Sequence, residues 1–351
     1  VEEVDTVSGV MVVRAGTVLE TAQKTAEDAG FLLPIDLGAR GSCQIGGNIA
    51  TNAGGQRVIR YGTVRDNLLG LEAVLANGTV LSHLSRVQKD NTGYDLRHLL
   101  AGSEGTLGVV TRAVLRLRPL PQDLETAICA LQDYSAVLAL MSLARSQVTL
   151  SAFEVMWADY FELCGGVRLF TEIPPYAVLI ETEGGGLEAL LERALEGGII
   201  FDALVAQSRA DARRFWDVRE AALPEAHVDD IVNFDVSLPI TVADDYVQAC
   251  RTAVSKAMPS TRSFFFGHIG DGNLHIMVQV PGCADADVHA VDQITYDLIR
   301  DMGGVISAEH GIGTLKRDWL GHSRSQGELA AMRAIKAALD PAGILNPGKV
   351  L

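Results

Sequence analysis

The sequence has no surplus of positive charge. Its 29 Lys and Arg stand against 44 Asp and Glu, a formal net charge of -15. An exterior of that sign repels phosphate backbones and anionic lipid, so neither nucleic acid nor a membrane surface is expected as a partner. Cysteine is sparse and unpatterned: Cys43, Cys129, Cys164, Cys250 and Cys283 are odd in number and never form C-x-x-C. This argues against a disulfide framework or a cysteine zinc site, and for a reducing compartment: the cytoplasm, or the mitochondrial matrix in a eukaryote. Long apolar runs are missing too. The longest, around Ala136 to Ala144, is far short of the ~20 residues of a membrane span. The opening Val-Glu-Glu-Val-Asp has neither an initiator methionine nor a secretory apolar segment. Because Val10 to Arg14 already reads as a strand, a preceding portion is expected.

What is present is enough apolar material, 48% of 351 residues, for two or three domains with their own cores. Residues 1–121 are glycine-rich and read as α+β. Thr17 to Ala29 reads as a helix with Val18, Ala22, Ala26 and Ala29 on one face and Gly30 as its stop. Leu71 to Leu75, the turn Asn77-Gly78 and Thr79 to Leu81 read as a hairpin. The proline-bearing Arg116 to Pro121 reads as an exit linker. Beyond it, helices alternate with strands at Ser151 to Met156, Tyr176 to Glu181, Ile231 to Leu238, Ser263 to Ile269 and Leu274 to Val280. Ser208 with Asp211, Thr241 with Asp244 and Ser325 with Glu328 fit the helix-capping pattern. The order of elements predicts an antiparallel sheet with helices on one face.

The sharpest chemical signal is Gly267-His268-Ile-Gly270-Asp-Gly-Asn273-Leu-His275. A four-residue hairpin loop would set His268 opposite His275, with Cβ atoms ~5 Å apart. Two neutral imidazoles so placed can share a cation, and Glu309, at the end of an expected strand Val305 to Ala308, supplies a carboxylate. Two His and one carboxylate leave coordination positions open, as in a catalytic rather than a structural metal site. The alternative is a hydrogen-bonded histidine pair with Glu309 accepting from one ring. A second signal runs from Gly38 to Gly55, with Gly41, Ser42, Gly46, Gly47, Thr51, Asn52, Gly54 and Gly55. This density lets backbone approach a flat or phosphorylated ligand, although an elaborate turn would share the composition. It matches neither the dinucleotide fingerprint nor the P-loop. Ala101 to Thr111, with Glu104, Gly105 and Val110, has the same character.

Together these segments, with Asp235-Val-Ser-Leu-Pro239, Glu309-His310-Gly-Ile-Gly and the tail Asp340 to Lys349, resemble the FAD-linked D-2-hydroxyacid dehydrogenases. That family, of the vanillyl-alcohol-oxidase type, includes D-lactate and D-2-hydroxyglutarate dehydrogenases and the glycolate oxidase flavin subunit. The resemblance covers almost the whole chain, except that the family has a further FAD subdomain ahead of the strand with which this sequence opens. It implies a partial FAD-binding domain (1–121), a ferredoxin-like antiparallel-sheet substrate or cap domain with the metal site (122–313), and a C-terminal helical segment (314–351) returning to the FAD domain. It further implies that the two glycine-rich segments and Asn346 contact non-covalent FAD, that His268, His275 and Glu309 hold zinc or a similar divalent metal, and that His310 is the base.

Arg219 is the candidate cation for the substrate carboxylate, with an ordinary surface ion pair as the alternative. Asn273 and Asn233 complete the substrate set. Where relatives have a hydroxylated residue and a lysine, this sequence has Leu223 and Asn233. The implied reaction oxidises a D-lactate-like 2-hydroxy acid by hydride transfer to flavin, with the metal acting as Lewis acid on the hydroxyl. Electrons would pass to a flavoprotein, quinone or cytochrome, and a homodimer is among the expected assemblies. Two further readings stand beside it: a non-catalytic flavoprotein subunit, and a flavin-linked transferase of the same superfamily.

Overall fold

The strands of the first 121 residues form a five-stranded antiparallel sheet and a separate two-stranded one, Phe31–Leu32 with Arg118–Pro119. In the computed structural model, which describes residues 1–221 and 228–351, the chain divides into two units: Val1–Pro121 with Ala308–Leu351, and Gln122–Ser307. The return to the first unit thus falls at Ala308, ahead of the boundary at 313 expected from sequence. In the first unit, strands Glu3–Asp5, Val10–Arg14, Val109–Arg116, Leu68–Val74 and Val80–His83 lie side by side in that order. The helix Leu19–Asp28 buries Leu19, Ala22 and Ala26, packing them with Met11, Val13 and Ile45. The expected stripe is therefore rotated by one residue at its start, because Leu19 rather than Val18 fills the core. The last helix, Gln326–Leu339, begins at the foreseen capping box, with Ser325 and Glu328 each bonding the other's backbone.

The second unit is a seven-stranded antiparallel sheet in the order Asp202–Val205, Glu125–Leu131, Tyr176–Glu183, Thr149–Trp157, Arg262–Gly267, Asn273–Gln279, Ile231–Ser237. Helices do not keep to one face as expected. The three strands Glu125–Leu131, Tyr176–Glu183 and Thr149–Trp157 are buried at alternate and intervening positions alike. Apolar runs such as Ala-Val-Leu-Ile mark strands covered on both sides. One cover consists of the helices Ala158–Leu163 and Arg209–Arg219, whose Tyr160, Phe161, Phe215 and Trp216 share a core with Ile128, Met156 and Leu179.

Ser208 caps the helix Arg209–Arg219 by accepting from the Asp211 amide. The expected Thr241–Asp244 cap does not form. Thr241 lies in a 3-10 turn, and Asp244 instead accepts from Trp157 Nε1 at 2.8 Å and the Tyr176 hydroxyl at 2.9 Å. Two indole and phenol donors on a sheet face outcompete one backbone amide for that carboxylate. The expected strand Val305 to Ala308 is reduced to a single bridge, Val305 to Ser237.

Candidate active site

On the second unit the chemistry gathers on one sheet face. Phe266 stands opposite both His275 and Met156, and His275 opposite Asp235, so these four residues share a face. Glu154 and Asn233, two residues along their strands, lie on the same face. The helix ending in Arg219 covers it.

His268 is not the cross-strand partner of His275 that the hairpin pattern predicts; Phe266 is. The strand stops at Gly267, where a side chain would overlap the Asn273 carbonyl, and the chain turns through a 3-10 helix at Ile269–Asp271. The His268 carbonyl accepts from the Asp271 and Asn273 amides at 3.1 and 3.2 Å, so the loop is closed by His268 and Asn273 and the register is shifted by two residues from the expected one. The slip is two residues, an even number, so His268 still emerges on the face of His275. The ring centroids lie 5.1 Å apart at 82°, and a ring nitrogen of each is within 4.8 Å of one on the other.

Behind His268 stands Glu154, a residue the sequence reading missed. It is fully buried, with Oε1 at 2.8 Å from His268 Nδ1 and Oε2 accepting from Arg219 Nε at 2.7 Å. Burial alone would push this carboxyl up, but His268 and Arg219 outweigh it and hold the acid at about 2. Arg219, only 5% exposed, is no surface ion pair. Its guanidinium carbon lies 4.8 Å over the Phe266 ring, and its Nε edge is committed to Glu154. The signal that could have revealed Glu154 is a single charged residue inside the apolar run Ser151 to Trp157.

Asn273 is buried, and its Nδ2 donates to Asp235 Oδ1 at 2.7 Å and to the Val236 carbonyl at 3.1 Å. Its Oδ1 has no partner among the described residues, an orphaned acceptor beside the histidines that a ligand would satisfy. Asp235, wholly buried, also accepts from the Ser307 hydroxyl at 3.3 Å. This ties the hairpin to the chain two residues before Glu309. Asn233 is exposed on the edge strand opposite the partly buried Met277. Leu223 lies outside the described residues.

The first unit carries an open cleft of about 530 Å³ lined by Gly46, Gly47, Glu104, Gly105, Val110 and Asn346 among others. Gly46 approaches the turn after the strand Val10–Arg14 so closely that a Cβ would sit 2.7 Å from that of Ala15, while one on Gly47 would meet nothing within 4 Å. Glu104 and Gly105 are both left-handed, with φ 52° and 69°. The Asn346 amide donates to the Glu104 carbonyl, closing the rim. The Glu104 carboxylate accepts from the amides of Ile312 and Gly313 at 2.7 and 2.8 Å.

Gly41, Ser42, Thr51, Asn52, Gly54 and Gly55 are not among the lining of this cleft. Asn52 accepts from the Arg65 amide, and Thr51 Oγ1 donates back to Gly47. Gly55, at φ 108°, lies so tight on the Asp36 carbonyl that only glycine fits. Glu309 packs in this unit against Gly54, where a Cβ would be 3.2 Å from its Oε2; His310 is exposed. Neutral glycine-lined backbone with one flank open suits a flat, phosphorylated cofactor.

Solved structures with this architecture define the class. The chain aligns over 99% of its length with an alkyldihydroxyacetonephosphate synthase (66% of that chain, 18% identity, TM-score 0.72). It aligns over its full length with 4-ethylphenol oxidase from Gulosibacter chungangensis (78% of that chain, 19% identity, TM-score 0.71). The fold is that of the flavoprotein oxidases with an FAD-binding domain and an antiparallel cap. More particularly, residues 120–350 match the model for "FAD linked oxidases, C-terminal domain" and residues 1–83 that for "FAD binding domain", and the chain belongs to the FAD-linked oxidase family.

Among curated proteins it is 41% identical to mitochondrial D-2-hydroxyglutarate dehydrogenase of Bos taurus, over 98% of this chain and 65% of that one. With D-2-hydroxyglutarate dehydrogenase of Xanthomonas citri pv. viticola the identity is 40%, over 97% and 75%. With a putative mitochondrial D-lactate dehydrogenase of Schizosaccharomyces pombe it is 37%, over 98% and 70%. The chain thus spans a little under two thirds of the length of the bovine relative.

Proposed function

We propose that this protein oxidises a D-2-hydroxy acid to the 2-oxo acid at a site that uses FAD and a divalent metal. The observation that carries this reading is the convergence of His268 and His275 on one sheet face, with an orphaned acceptor on Asn273 beside them. His268, His275 and Glu309 would hold the metal, most suitably zinc; Asp235 anchors Ser307, from which Glu309 is two residues removed. The segments around Gly46, Gly47, Gly105 and Asn346 would hold FAD. When bound, the metal supplies Lewis acidity at the substrate hydroxyl and FAD accepts the hydride. His310 takes the hydroxyl proton as general base. Arg219 contributes positive charge toward the substrate carboxylate, and Asn273 and Asn233 offer neutral hydrogen bonds.

Met277 and Asn233 give the edge of this face little charge to recognise a second carboxylate. This supports a short or apolar substrate side chain, as in D-lactate, over a dicarboxylate. The electron acceptor is a flavoprotein, quinone or cytochrome, the assembly a homodimer, and the compartment the cytoplasm or, in a eukaryote, the mitochondrial matrix. Among the described residues no helix is long and apolar enough to cross a membrane. The test is metal analysis of the full-length protein together with anaerobic mixing with D-lactate: bleaching of the flavin absorbance and one metal per chain are expected. Failure of every D-2-hydroxy acid to bleach the flavin overturns the reading.

A further inference from the structure

We propose that Glu154 is a positioning residue that fixes His268 in its Nδ1–H tautomer, leaving Nε2 as the nitrogen that binds metal. The proposal rests on the metal site proposed above and adds how that site is held ready. His268 Nδ1 lies 2.8 Å from Glu154 Oε1 and 3.4 Å from Arg219 Nη2. A guanidinium only donates and an ionised carboxylate only accepts, so the two neighbours demand opposite tautomers. The distances decide between them. At 2.8 Å a bare ring nitrogen would place its lone pair against a buried carboxylate oxygen, whereas an Nδ1–H there makes a charge-assisted hydrogen bond of ordinary length. The Nη2 contact, at the outer limit for such bonds, is the one given up.

Each Glu154 oxygen then has one donor, His268 on Oε1 and Arg219 on Oε2. Arg219 in turn is held from three sides. Its guanidinium lies over Phe266, its Nε is bonded to Glu154, and its carbonyl accepts from the Tyr160 hydroxyl at 2.9 Å, which pins the helix end. Charge withdrawn this deeply into a core contributes little to stability that a well-packed apolar pair would not. What an apolar pair could not do is select one nitrogen of an imidazole. Carboxylate–histidine–metal relays of this kind set ligand orientation and basicity.

The test uses the whole protein, stripped of metal and labelled with ¹⁵N-histidine. Two-bond nitrogen–proton correlations are expected to show His268 protonated on Nδ1 and bare on Nε2; the opposite tautomer overturns the proposal without any variant being made. Zn²⁺ titration then compares wild type with Glu154→Gln. The glutamine must turn its oxygen to Arg219 and its NH₂ to His268, so Nδ1 becomes an acceptor and Nε2 carries the proton. Zinc affinity is expected to fall ~10- to 100-fold, with Glu154→Asp recovering part of it and the melting curve of the metal-free form monitoring the fold. Equal zinc affinity in wild type and a folded Glu154→Gln overturns the proposal while the metal site stands. A wild type that binds no zinc overturns the metal site, and the tautomer measurement still decides the role of Glu154. Should Glu154→Gln fail to fold, the wild-type correlations decide.

Discussion

Arg219 Nε and Glu154 Oε2 lie 2.7 Å apart with 5% and 0% of their residues' surface exposed, a buried ion pair. Removing one partner leaves a buried charge uncompensated, which typically costs about 3–5 kcal/mol, whereas replacing both with apolar residues is often neutral. Arg219→Met in the metal-free protein is expected to lower the urea midpoint of the second unit markedly. Adding Glu154→Leu should restore most of the loss. The reading is Trp157 and Trp216 fluorescence in a Trp319→Phe background; a double variant as unstable as the single would show that the pair is not acting as paired charge.

The edge strand carries the specificity prediction. A charge-assisted hydrogen bond contributes about 1.5–3 kcal/mol against about 0.5–1.5 kcal/mol for a neutral one. Asn233, exposed on that strand, therefore favours monocarboxylates only weakly, and Asn233→Lys should raise kcat/KM for D-2-hydroxyglutarate relative to D-lactate by about tenfold. Steady-state kinetics with an artificial acceptor measure it. A wild type that clearly prefers the dicarboxylate would contradict the assignment.

Two glycines of the first unit should respond in opposite ways. Gly55→Ala forces a left-handed backbone and an overlap with the Asp36 carbonyl, and is expected to destabilise the unit by more than about 1 kcal/mol. A Cβ at Gly47 meets nothing within 4 Å, so the fold should tolerate Gly47→Ala while the added methyl in the cleft lining weakens FAD binding. Thermal melts and flavin titration, run on both variants, separate the two effects.

Thiol chemistry gives a test of burial. Burial pushes Cys129 up to about 12 and Cys164 and Cys250 up to about 11. A raised thiol pKa leaves less thiolate at pH 8, and thiolate is the reactive form. Only the partly exposed Cys43 and Cys283 should react quickly with a disulfide reagent in the native protein, with all five reacting in denaturant. Three or more fast thiols would contradict the packing around the central strands.

Local patterns carried much of this in the sequence. Ser208 and Ser325 were legible as caps because the partner carboxylate is three residues away, and both form. Thr241 offered the same spelling, but Asp244 is claimed by Trp157 and Tyr176, 87 and 68 residues distant. The histidine pair could be read from a hairpin, yet its register depends on how closely Gly267 crosses Asn273, which spacing does not encode. Glu154 meets His268 across 114 residues. In the sequence it is one acid in an apolar strand, and only strand pairing reveals its partner.

The division of the first unit between residues 1–121 and 308–351 has a consequence for biogenesis. During vectorial synthesis the seven-stranded unit, whose residues are contiguous, can finish folding while its surroundings cannot. Glu104 must wait for the amides of Ile312 and Gly313, the Thr106 carbonyl for Lys336, and the Glu104 carbonyl for Asn346. The glycine-lined cleft is thus completed only after residues 308–351 have been made, later than the seven-stranded unit. A chain stalled before residue 312 would present a finished histidine face and a glycine-rich sheet still lacking the amides that Glu104 binds.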